Sequence, residues 1–198
     1  MQADRRDRKN NESDALKGLA AGLVAGLVAS AVMNQFQALW SRLTEGEERS
    51  HGAQSMQQGL PQVGVGRELQ AEGKDEGEDD AAMRLANAVS VAVLDQELTK
   101  SEKDTAGTAL HYAYGVSMAA LYGTAAEFVP VVTAGAGLPY GASIWLVADE
   151  GVVPALGLSK SPEEYPLSVH AYALASHCVY GLTTELVRRA VRNALYER

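Results

Sequence analysis

The sequence predicts an all-α integral membrane protein, a four-helix bundle with a short amphipathic helix in its first long loop. Three observations lead there. Four apolar stretches, about residues 16–43, 106–128, 131–153 and 167–187, each approach or exceed the ~20 residues a spanning helix needs. Small residues recur at every fourth position in the first two stretches, a pattern that lets helix backbones approach closely in lipid. The ionisable side chains inside the stretches are few, as their cost in hydrocarbon demands.

Residues 1–14 are charged and Asn-rich, which predicts a disordered cytoplasmic tail, with Ser13 or Asp14 as a cap for the helix that follows. Residues 15–195 are expected to form one membrane domain. The first span carries Gly18, Gly22, Gly26 and Ser30 as a packing ridge. Arg5, Arg6, Arg8 and Lys9 before an apolar run, with Ala29-Ser30-Ala31 inside it, also fit a signal peptide. Acidic residues dilute that basic end, and the apolar pattern runs on through Phe36, Leu39 and Trp40, so a retained helix is the expectation. Asn34, Gln35 and Gln37 suit hydrogen bonds to a neighbouring helix.

Residues 44–104 form an acidic loop with fourteen acidic and six basic residues. Within it, residues 81–98 place Met83, Ala86, Val89, Val93 and Leu94 near helical spacing between charged ends, which predicts the amphipathic helix. The second span repeats the small-residue ridge at Gly115, Ala119 and Gly123 and stops before Pro130. The third follows at once, so the pair should form an antiparallel hairpin; Gly135, Gly137, Pro139 and Gly141 predict a late start or a kink. The last span runs into Arg188, Arg189 and Arg192. Basic residues gather in the two tails, which places both termini in the cytoplasm and the acidic loop outside. Tyrosines and tryptophans near span ends read as interfacial anchors.

The candidate polar intramembrane cluster is His111, Asp149, Glu150, His170 and His177. On a rise of 1.5 Å per residue, His111, Asp149, Glu150 and His170 lie toward the outer edge and His177 nearer the middle. Glu127 and Glu185 lie toward the cytoplasm. His170 and His177, seven residues apart, return to nearly one helix face and could line one cavity. Imidazole titrates near neutrality, so the cluster suits proton sensing. The same residue types suit a divalent metal such as zinc or ferrous iron, with His111, Asp149, His170 and His177 as ligands, but no His-x-x-x-His or Glu-x-x-His pair specifies such a site. No cofactor is expected. No catalytic residue is assigned, because the chain lacks a nucleophile elbow, a phosphate loop and a dinucleotide fingerprint. A net charge of -8 argues against a nucleic-acid partner. Membrane lipids are the expected partners, and the glycine ridges serve self-association into a homo-oligomer as readily as internal packing. Cys178 is the single cysteine and reads as a small buried hydrophobe.

His111 followed by Tyr114-Gly115 and Tyr122-Gly123, Asp149-Glu150 ahead of Pro154 and Gly157-Leu158, and His177 ahead of Glu185 and Arg188-Arg189 are the residues that carry a resemblance. Over about residues 105–195 the chain resembles the YagU-like family of uncharacterised bacterial inner-membrane proteins. That resemblance implies a small helical protein of the inner (cytoplasmic) membrane with no established enzymatic activity. The acidic loop and the helix at 81–98 depart from the family pattern, and Asp149 stands where some members carry histidine. The reading is a non-enzymatic membrane protein with a structural or stress- and pH-response role. The alternatives are a small transporter or metal-handling protein using the same cluster, and a soluble helical binding module.

Overall fold

The computed structural model describes residues 2–44 and 79–196, and among these the regular structure is helical, with no strand. The expectations for residues 45–78 of the acidic loop lie outside the described residues. In chain order the helices are α1 (Gln2–Thr44), α2 (Ala81–Leu94), α3 (Lys100–Phe128), α4 (Leu138–Ile144) and α5 (Leu167–Tyr196). A 3-10 stretch, Pro130–Gly137, leads into α4. A π-helical stretch, Trp145–Val152, follows it and ends in a three-residue turn, Val153–Ala155.

Among the described residues, two helical stretches are long and apolar enough to cross a membrane, Asn11–Leu43 and Pro130–Ala155. The sequence expectation was four. Helices α3 and α5 have the length, but Gly, Ser, Thr, Tyr and His dilute their apolar residues, and by composition they do not join the other two.

The boundaries differ from the sequence expectation in three places. Helix α1 begins at Gln2 rather than near Asp14. Lys, Arg, Glu and Gln are good helix formers, and extending a nucleated helix costs far less than starting one. Asp14 consequently sits inside a helix and caps nothing. Helix α2 ends at Leu94, short of residue 98, because Asp95 takes a left-handed backbone conformation with φ 53°. Its other end is capped by Asp80, whose carboxylate accepts from Met83 N at 2.8 Å. Helix α3 starts at Lys100, ahead of the apolar stretch, where Thr99 N and Oγ1 both donate to Glu102 Oε2 at 2.9 and 2.7 Å. Those bonds hold the Glu102 carboxyl below the usual carboxylate range.

The chain divides into two compact units. The first takes Met1–Gln37, Tyr112–Ala142 and His177–Arg198. In it α1 and α3 touch backbone to backbone. A Cβ added to Gly18 would lie 2.6 Å from Gly123 O, and one added to Gly26 would lie 2.7 Å from Val116 Cα. Gly22 meets Ala119 and Ala120 in the same way. Ala21, Ala25, Ala29, Ser30 and Met33 complete the buried face of α1. Between Pro130 and α4 the chain turns through three successive left-handed residues, Gly135, Ala136 and Gly137. Gly137 and Gly141 then rest against the backbone of Gly181 and His177 in α5, a contact that leaves no room for side chains.

The second unit takes Ala38–His111 and Ser143–Ser176. Met83 of α2 packs over Gly107 of α3, and Lys103 pairs with Asp79 at 2.8 Å. Ser90 and Asn87 tie α2 to the segment after it, through Ser90 Oγ to Gln96 O and Leu98 N to Asn87 Oδ1, both 2.8 Å. Residues 157–166 form a loop whose Leu158, Ser159 and Tyr165 are buried. Arg84 reaches Leu158 O at 3.4 Å, and Lys160 N donates to the Tyr165 hydroxyl at 3.2 Å. Burial pushes the Tyr165 phenol up, against the Lys160 hydrogen bond that lowers it.

Candidate functional site

Asp149 and Glu150 sit in the π-helical stretch, His170 in the first turns of α5 and His111 in α3, all within the second unit. Such wide turns recur at functional sites. Two of the five expected residues meet directly: His170 Nδ1 lies 2.7 Å from Glu150 Oε1. His170 Nε2 lies 3.0 Å from the carbonyl oxygen of Pro162, in the 3-10 turn Pro162–Glu164. Both side chains are mostly buried, 18% and 12% exposed. The Tyr165 ring stands edge-on to the imidazole at 6.5 Å.

With a protein group hydrogen-bonded to each ring nitrogen, His170 has no lone pair left for a metal in this arrangement. Among the described residues no group of three or more His, Cys, Asp or Glu is placed to hold a metal ion. His111 and Asp149 are half-buried in the second unit. His177 belongs to the first unit, where its carbonyl oxygen lies under Gly141. Cys178 is half-buried.

The first unit holds a second polar group, built from charges that lie far apart in the sequence. Glu185, fully buried, accepts from Arg188 Nε at 2.7 Å, Arg189 Nε at 2.5 Å and the Tyr122 hydroxyl at 3.0 Å. Arg192 grips Glu127 through two bonds of 2.8 and 2.6 Å and also reaches Asp14 at 3.1 Å. Three helices, α1, α3 and α5, are joined through charge-assisted bonds. The signal for the local part was present in the spacing of Glu185, Arg188 and Arg189, three and four apart on one helix. Beside it Tyr122 stacks on Tyr140 at 4.2 Å, and Tyr180 donates to Gly115 O at 2.5 Å. Asn34 on the α1 ridge donates to the Tyr112 hydroxyl at 3.3 Å.

Described residues whose regular structure is helical, with two apolar stretches of spanning length among them and ionised groups gathered between helices, define a class, the small helical protein with membrane-span-like segments. Within that class, the family described as protein of unknown function (DUF1440) matches residues 83–186, and the chain belongs to it. The match begins inside α2 and takes in most of that helix. No curated protein and no solved structure matches the chain.

Proposed function

We propose that the chain is a multi-pass protein of the bacterial inner membrane, non-enzymatic, with a structural or stress- and pH-response role and both termini in the cytoplasm. The observation that carries the membrane reading is the surface of α1. Its buried face is made of Gly, Ala and Ser with Met33 toward one end, while most of its large apolar side chains point outward: Leu23 is 41% exposed and Leu27 54%, with Ala21 and Ala25 at 0%. A helix of a water-soluble protein does the reverse, burying its largest apolar groups. In lipid the arrangement costs nothing, because acyl chains solvate leucine and tight backbone packing supplies the association energy.

The resemblance to YagU-like proteins supports the inner membrane in particular, and the basic residues at both ends of the chain support the cytoplasmic placement of the termini. Helices α3 and α5 cross alongside the two apolar stretches in this reading, their polar residues turned onto one another. Alkaline carbonate extraction of bacterial membranes tests the location. The protein should stay in the pellet, and single-cysteine labelling at residues 3 and 196 in a Cys178→Ser background should require permeabilised cells. Release into the aqueous extract would overturn the proposal.

A further inference from the structure

The geometry points to a proton-holding latch at His170 that ties the π-helical stretch and the Pro162–Glu164 turn to the start of α5. The valence of the groups alone decides how many protons they share. A carbonyl oxygen accepts and never donates, so the 3.0 Å contact with Pro162 puts a hydrogen on Nε2. A neutral imidazole has one N–H, so Nδ1 would then present a lone pair to a carboxylate oxygen 2.7 Å away, and two lone pairs repel at that distance. One further proton must lie between them. It sits on Nδ1, giving an imidazolium and a carboxylate, or on Glu150, which then donates to Nδ1. Both forms hold the same number of protons, so the geometry fixes the proton count of the pair whichever atom carries it.

The surroundings leave Glu150 as the group that decides the proton's fate. Neither His170 nor Glu150 makes a hydrogen bond to any other described side chain. The charged and titratable neighbours are Asp149, next to Glu150 in the π-helical stretch; Tyr165, edge-on to the ring; Glu163 and Glu164 on the turn; Arg84, which acts on Tyr165 from α2; and Tyr172 on the same helix, whose ring meets Trp40. Rising pH withdraws the shared proton, and the one remaining N–H cannot serve Glu150 and Pro162 together. The latch is closed on the acid side and loses one of its two bonds on the alkaline side. It gives the pH response proposed above a physical seat, and rests on that reading for its purpose but not on the membrane location.

Hydrogen exchange on the full-length protein in detergent tests it, read at the amides of Glu164 and Tyr165, which donate to Ser161 O and Pro162 O. After correction for intrinsic exchange, protection there should fall about tenfold from mildly acidic to mildly alkaline pH, the size of one charge-assisted hydrogen bond. The Glu150→Gln variant should show no such fall, because an amide can accept from a protonated ring or donate to a neutral one. Flat wild-type protection, or an equal fall in Glu150→Gln, overturns the proposal. Should that variant not fold, nuclear magnetic resonance of the wild type reads the proton directly. An ionised Glu150 facing an unprotonated Nδ1 at mildly acidic pH overturns the latch, and a proton on either atom supports it. A protein that carbonate extracts but whose latch responds to pH removes the membrane reading and leaves this one standing.

Discussion

The two faces of α1 should respond to mutation in opposite ways from those of a soluble helix. In Gly26→Ala the new methyl carbon would sit 2.7 Å from Val116 Cα and 2.9 Å from Ala119 Cβ, where ordinary contact begins at 3.4 Å. The first neighbour is backbone and cannot rotate away, so α1 and α3 must part by about 0.7 Å, the shortfall between those two distances. Overpacking of that kind costs about 1–3 kcal/mol. In Leu27→Ala, one residue along, the side chain removed is 54% exposed and supports little protein packing, so the change should stay within about 0.5 kcal/mol. Both would be read from unfolding of the purified protein in mixed micelles of rising sodium dodecyl sulfate content, followed by loss of helical circular dichroism. A Leu27→Ala cost equal to or larger than that of Gly26→Ala would refute the assignment of faces.

Three further outcomes follow from the geometry. Glu185→Ala strips the counter-charge from the buried Arg188 and should cost about 3–5 kcal/mol in the same unfolding assay, with the double change Glu185→Leu and Arg188→Leu recovering part of it. Asp80→Ala removes the cap that accepts from Met83 N and should lower stability by about 1 kcal/mol, seen as faster amide exchange in the first turn of α2. The lowered pKa of Glu102 stabilises the start of α3 above the unfolded carboxyl's ordinary range, and that contribution is lost as pH falls through the lower folded value; exchange at Lys103 N, bonded to Thr99 O, should accelerate across that acidic window and be insensitive to it in Glu102→Gln.

How much of this was legible in the sequence depended on whether a feature is local. The inward face of α1 could be read from Gly18, Gly22, Gly26 and Ser30, because small residues at helical spacing have few other uses in an apolar run. The break before α4 was visible in Gly135, Gly137 and Pro139, although the left-handed Ala136 between them was not. His170 and Glu150 stand out in the sequence as ionisable groups in apolar surroundings, but their pairing spans twenty residues and depends on where the wide turn presents Glu150. The Glu127–Arg192 clasp spans sixty-five, and nothing local in either segment indicates it. The expectation that His170 and His177 line one cavity came from helical phase alone, which says nothing about the neighbours that meet each ring.

The Trp145–Val152 stretch also alters how positions along this part of the chain are to be aligned. An α-helix rotates about 100° with each residue, and a segment bonded one residue further along rotates less, so angular bookkeeping slips as it passes through. Side chains beyond Val152 point in directions that counting in threes and fours from Tyr140 misassigns. Shortening the stretch by one residue would restore the ordinary winding and turn the chain through nearly the same total angle, so the residues from Pro154 onward would keep close to their present azimuth.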